Sequence, residues 1–404
     1  MEKEIKTIFK NWFWWGFLSL VVVAFYGTLM RYKIAFSFPF FEQKNLLYAH
    51  FNFAFSGWIN HALYCGLAYL IFPFLSSANQ KKYKWLIVFN LICAYIAALL
   101  FTFIGSKTDT IIFSALSTLI IAILFAVFYI RDNKLIPKDN LFSSWAITGL
   151  LLNILSVVGP FLLAYMMVSK TFTQDKYLIY KYYFLHFQYN GWFFFASMAM
   201  LTNILPKNFP NLNQYFKVFA ATVIPTFFLS ILWFKLPLWL YIITVITTII
   251  QMIAWLYFIK KYIPLLINDN KPSWVHIFMY AAIFAMTVKF ILQTISIIPS
   301  LSHFVFGFRS IIIAYLHLIL LGVYSLFIIG YSLYNGFLSN TNKTKFATIA
   351  FLVGVVLNEL VLGIQGAAGL IYLPIPHINE ALFAVTLLLF GSSIFIVLSQ
   401  KIGK

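Results

Sequence analysis

Twelve runs of apolar residues, most of them twenty or more residues long and parted by short polar turns, leave this chain few choices of fold. A helix rising 1.5 Å per residue needs roughly twenty such residues to cross a bilayer. The runs fall at about 12–35, 46–74, 83–105, 110–130, 142–168, 177–204, 215–233, 237–260, 274–298, 306–333, 346–371 and 378–400 of 404 residues. Between them stand Lys81-Lys82-Tyr83-Lys84, Arg131-Asp132-Asn133-Lys134, Asn268-Asp269-Asn270-Lys271 and the turn from Asn340 to Lys345, none long enough to be a soluble domain. With 62% of residues hydrophobic and 9% charged, the chain reads as an all-α polytopic membrane protein of about twelve transmembrane helices.

Charge then sets the orientation. A net charge of +18 in a soluble protein would point to nucleic acid, but here the basic residues sit in the connecting segments and face the anionic surface of the lipid bilayer. Counting Lys and Arg by side gives about 18 on the face that holds the amino terminus and about 9 on the other, with Lys289 inside a helix. Both termini are therefore expected in the cytoplasm. Cys65 and Cys93 fall within apolar runs and behave as small hydrophobes, without a redox role. Met1 to Asn11 is charged and leads into an apolar helix with no small-residue cleavage site, so the first helix is expected to stay as an anchor.

Inside this frame one stretch repeats. Tyr48-Ala49-His50-Phe51-Asn52-Phe53-Ala54-Phe55-Ser56-Gly57-Trp58 is echoed by Leu185-His186-Phe187-Gln188-Tyr189-Asn190-Gly191-Trp192, and more faintly by Tyr315-Leu316-His317 followed by Gly322. The histidines are 136 and 131 residues apart, which divides the chain into three four-helix blocks, approximately 12–140, 141–273 and 274–404. They stand in the outer halves of helices two, six and ten. An ionisable side chain in hydrocarbon faces a partner, a cavity or a cofactor, and neutral imidazole is a ligand for haem iron or copper. The competing reading is an imidazole bonded to a neighbouring helix.

Neighbouring residues carry the same two readings. His61 follows His50 by eleven positions, on one face at about 16 Å, so it is a deeper contact or a packed histidine. Gly57 lies on the histidine face, where a flat macrocycle or another helix would approach; Gly191 and Gly322 point elsewhere, to close helix packing. Trp58 and Trp192 form a cofactor wall or ordinary core. Asn52, Gln188 and Asn190 need partners, and support of a histidine ring is one use.

Helix count, inward termini, three blocks and histidines on helices two, six and ten together resemble the catalytic subunit I of haem-copper oxidases and nitric oxide reductases. A related resemblance is to the twelve-helix haem and copper proteins of nitric oxide tolerance, the NnrS family. The first resemblance implies that His50 and His317 hold a low-spin haem b, and that His186 matches a copper ligand. It implies a bacterial inner membrane and a quinone or cytochrome as redox partner. Two departures matter: Tyr315 stands where the ligand of the oxygen-binding haem would be, and Phe216 to Trp233 contains no histidine. One imidazole does not hold copper, so copper and oxygen reduction are not expected. What the resemblance leaves is electron transfer through a bis-histidine haem, whose axial positions are both filled.

Charges within the membrane complete the set. Lys289, with Gln293 one turn on, and Arg309 at the start of helix ten suit a haem carboxylate; the alternative for Lys289 is an ion pair with Glu359, beside Asn358. Glu359 with Gln365 would otherwise belong to a proton path. His377, in the last outer loop, reads as exposed. A transporter built from repeats, with His50, His186, Lys289 and Glu359 forming its site, is the second reading, although no proline breaks helices two, six or ten in mid-span. A haem-free assembly partner is the third. No phosphate loop, Cys-x-x-Cys-His attachment or hydrolase triad is present in the sequence.

Overall fold

The structure, a computed structural model, describes residues 2–137, 140–206, 209–267, 271–301 and 308–400; the turn residues Asn268 to Asn270 and the first two residues of the expected tenth run lie outside them. The described residues are helical, with no strand among them. Among the described residues nine helices are long and apolar enough to cross a membrane, or ten if one bent pair counts as a span. They are α1 (Lys3–Ala35 of the helix Glu2–Ala35), α3 (Ser77–Ile104), α4 (Thr108–Leu135), α5 (Phe142–Val168), α8 (Leu238–Ile267), α9 (Ser273–Ile295), α10 (Arg309–Tyr334), α11 (Asn342–Leu370) and α12 (Ile378–Leu398). The bent pair α7, Leu212–Thr222 and Pro225–Ile231, turns by 46°. Proline explains the break: Pro225 has no N–H for the helix ladder, and its ring disfavours helical backbone before it.

Two of the expected crossings fall short of that test. These are α2, which runs Gln43–Phe53, Ala54–Asn60 and His61–Ile71 without interruption, and α6, which runs Gln174–His186, Phe187–Trp192 and Phe193–Thr202. His50, Asn52, Asn60 and His61 dilute the apolar character of one, and His186, Gln188 and Asn190 that of the other. Both helices are heavily buried instead. Every residue from Phe53 to Ala68 is buried, so the polar groups meet protein rather than lipid.

The middle pieces of α2 and α6 are π-helical, and so is Leu318–Ser325 within α10. Each π segment starts one to four residues after His50, His186 or His317, and each contains the glycine of its repeat: Gly57, Gly191 or Gly322. A further π turn, Leu116–Ile120, interrupts α4. One extra residue per turn widens the helix and often marks a functional position.

The chain forms two compact units. The first contains Met1–Ile136, Ser273–Met279 and Tyr324–Lys404; the second contains Pro137–Pro272 and Tyr280–Val323. Their boundaries near 136 and 272 fall close to those expected between the repeats, while the third repeat is shared between the units. In the first unit α1 packs on α12 and α2, α11 on α12, and α3 on α2 and α4. Its core includes Phe9, whose ring meets those of Trp12, Tyr69 and Phe72 edge-on at 4.8, 5.2 and 4.8 Å. In the second unit α5 packs on α6, and α7 on α8 and α6. Helix starts follow local chemistry. The hydroxyls of Ser76, Thr173 and Thr341 accept the N–H of Asn79, Lys176 and Thr344, capping α3, α6 and α11. Gly105 ends α3 at φ 72°, with its added Cβ only 2.9 Å from Asn45 Oδ1, so a side chain is unwelcome on both counts.

Candidate functional site

The four histidines of α2, α6 and α10 each bond a backbone carbonyl, in two different ways; a fifth, His276, lies buried near the start of α9. His50 and His317 use Nδ1, which donates to Val23 O at 3.1 Å and to Ile313 O at 2.8 Å. His61 and His186 use Nε2, which donates to Trp12 O at 2.9 Å and to Val223 O at 2.7 Å. A carbonyl only accepts, so the bonded nitrogen carries the proton and the other carries the lone pair. His50 and His317 thus have the lone pair on Nε2, at the far end of the ring. In His61 and His186 it is on Nδ1, hemmed in by the side chain's own helix.

His50 and His61 both reach α1, at carbonyls eleven residues apart, and each meets a glycine four residues beyond its carbonyl. A Cβ on Gly27 would stand 3.4 Å from His50 Cε1, and one on Gly16 would stand 3.2 Å from His61 Cδ2. Missing side chains there let each ring lie against α1. His61 is buried at 1% exposure, with Cys65 Sγ 3.6 Å from its Nε2, and serves as the packed histidine of the two expectations.

His186 is fully committed to the second unit. Asn190 donates to its Nδ1 at 3.1 Å, while its Nε2 holds Val223 O at the break in α7. A metal there would have to displace one of these bonds. Asn190, singled out as a residue in need of a partner, supports the ring; Gln188 bonds Asn153 at 2.9 Å and Ser156 at 2.7 Å, and Asn52 joins Tyr48 and Ser114.

The glycines and tryptophans of the repeats belong to the core. Phe53 fills the space beside Gly57, where a Cβ would be 2.6 Å from its ring. Gly191 faces Leu152 and Gly322 faces Ala285, both close helix contacts. Trp58 and Trp192 are buried, and Trp58 Nε1 donates to Ser325 Oγ at 2.9 Å.

Lys289 anchors a polar chain that ends at the same break. Its Nζ donates to Gln293 Oε1 at 2.5 Å, Gln293 Nε2 to Gln251 Oε1 at 3.1 Å, and Gln251 Nε2 to Thr226 Oγ1 at 3.4 Å. Thr226 Oγ1 donates in turn to Thr222 O at 2.9 Å, across Pro225. Lys289 also lies 4.2 Å from the centre of the Phe290 ring and interacts electrostatically with His186. Gln251 and Thr226 were not among the residues the sequence pointed to. Their signal was there, a glutamine within an apolar run and a threonine directly after a proline, but neither is rare enough alone to be read. Glu359, in the first unit, accepts from Asn358 at 3.2 Å.

Arg309 begins α10 exposed, two turns above His317, about 12 Å along the axis. Lys181, half-buried on α6, lies near enough to Arg309 for their charges to interact. His377 is exposed and meets Glu380 at 3.2 Å. Among the described residues no three His, Cys, Asp or Glu side chains converge as a metal site. The sequence matches no protein-family model and no curated protein.

Proposed function

We propose that this is a haem b-binding membrane protein that transfers electrons, with His317 and His50 as the axial ligands, and that its twelve helices span a bacterial inner membrane with both termini in the cytoplasm. One observation carries the reading: of the four histidines on α2, α6 and α10, the two expected to hold iron are the two whose Nδ1–H is tied to a carbonyl. Ligating histidines are commonly oriented this way, since the bond fixes the tautomer and makes Nε2 the basic nitrogen. Arg309 and Lys181 add two cations at the outer end of the helix that carries His317, where haem carboxylates need them. Bound haem would supply one-electron chemistry, and the chain's part is to orient two rings and neutralise two carboxylates. His186, with both nitrogens engaged, has a packing role in this reading.

The test is an oxidised-minus-dithionite-reduced spectrum of the protein purified in mild detergent, with pyridine extraction to identify the haem. A reduced α band lost in both His50→Ala and His317→Ala is the expected result. A colourless preparation from haem-replete cells, unchanged by added haemin, sinks the reading.

A transporter is the second reading, favoured by the break in α7. Discontinuous helices with polar groups at the break are how many transporters build a substrate site. His186, Thr226, Gln251 and Lys289 converge on that break; a colourless protein would put this reading first.

A further inference from the structure

Lys289 is 4% exposed in the second unit, and its ammonium has three N–H donors. Gln293 Oε1 takes one, and the Phe290 ring offers its face to the charge at 4.2 Å. Among the described residues of the second unit no other acceptor bonds Nζ and no carboxylate pairs with it. Every further polar group in the chain is neutral: Gln293, Gln251, Thr226, and His186 held as a neutral ring by Asn190 and Val223. A buried charge among neutral dipoles is costly unless a counter-charge joins it.

We propose that Lys289 binds a small monovalent anion, of the size of chloride or nitrate, as the missing counter-ion. The third ammonium N–H holds it, and the chain from Gln293 to Thr226 fixes the side chains around it. One charge on Lys289 sets one charge on the ligand. Aromatic rings flank the ammonium, with Phe290 against Phe219 at 6.2 Å and Trp255 at 5.6 Å. An anion there stabilises the packing of α9 against the α7 break. This inference does not rest on the haem reading, and its test does not read haem.

The experiment is thermal unfolding of the purified full chain, followed by intrinsic fluorescence. Sodium chloride or nitrate is titrated against sodium gluconate, an anion too large for the site, at constant ionic strength. The wild type should show a saturable rise of about 2–5 °C with the small anions. Lys289→Met should be flat. Gln293→Glu places a carboxylate where the ammonium already bonds, and should also be flat because the counter-ion is then built in. A wild type indifferent to the anion overturns the proposal, as does an undiminished rise in Lys289→Met. Should Lys289→Met fail to fold, an undiminished rise in Gln293→Glu overturns it instead.

Discussion

Replacing Gly159 by alanine should destabilise the second unit, whereas the same change at Gly363 should not. Gly159, in α5, lies against α6 so closely that an added Cβ would be 2.6 Å from Tyr180 O, and 3.0 Å from both Phe184 N and Phe184 Cβ. A backbone carbonyl cannot swing aside as a side-chain end can. To reach ordinary contact near 3.4 Å, α5 and α6 must part by about 0.8 Å at that point, the difference of the two distances. Overpacking of this kind costs about 1–3 kcal/mol, offset by about 0.5–1 kcal/mol for alanine over glycine in a helix. Taken at mid-range, the net loss is roughly 1 kcal/mol, or a fall of about 2–4 °C in unfolding temperature. Phe184 is two residues before His186, so the push also reaches the bond to Val223. Gly363, on α11, has nothing within 4 Å of an added Cβ, so only the helix preference acts and the temperature should rise by about 1–3 °C. Fluorescence-detected unfolding of both variants in one detergent is the assay. A Gly159→Ala protein as stable as the wild type, or a Gly363→Ala protein that falls equally, would refute the packing argument.

Three further substitutions test buried polar bonds by the same assay. His186→Phe keeps the ring volume but leaves the Asn190 amide without its partner and Val223 O with only the Thr226 hydroxyl at 3.2 Å, at about 1–3 kcal/mol; Asn190→Ala removes one neutral bond and should cost about 1 kcal/mol. Tyr83→Phe takes from the buried Asp132 a hydroxyl at 3.1 Å, a bond to a charged group, and should cost about 1.5–3 kcal/mol; an unchanged unfolding temperature would mean that Asp132 is held by water instead.

How much of this was legible in the sequence follows from what periodicity can carry. Apolar run length located helical segments to within several residues, because hydrocarbon thickness and helix rise fix that length. It could not say which helices face lipid. The runs holding His50 and His186 look like their neighbours by length, yet they are the least apolar and among the most buried, a distinction made only by packing. The repeats of His with a downstream glycine were visible, but their π turns were not. Counting 100° per residue from His50 to Gly57 assumed an uninterrupted α-helix, and left room for a macrocycle or another helix where Phe53 stands. Lys289 was readable as a charge in need of a partner. Gln293, one turn on, was readable with it, but the next link, Gln251, was not, since it lies 42 residues from Gln293 and meets it only in the folded unit.

Both roles of histidine in this chain are open to a chemical separation. Asparagine places its amide N–H close to where Nδ1–H lies, and glutamine places its own close to Nε2–H. His50→Asn and His317→Asn therefore keep the donors to Val23 O and Ile313 O while removing the nitrogen that would hold iron. His61→Gln and His186→Gln keep the donors to Trp12 O and Val223 O. If the division is real, the asparagine pair should unfold within about 1 kcal/mol of the wild-type apoprotein, the worth of one retained hydrogen bond, yet lose the haem band. The glutamine pair should keep the band. Should all four variants instead behave alike, whether all coloured or all colourless, the tautomer of the ring would not be what distinguishes these histidines. The shared bond to a carbonyl would then be their whole purpose, each imidazole tying down a backbone oxygen at a helix contact or turn.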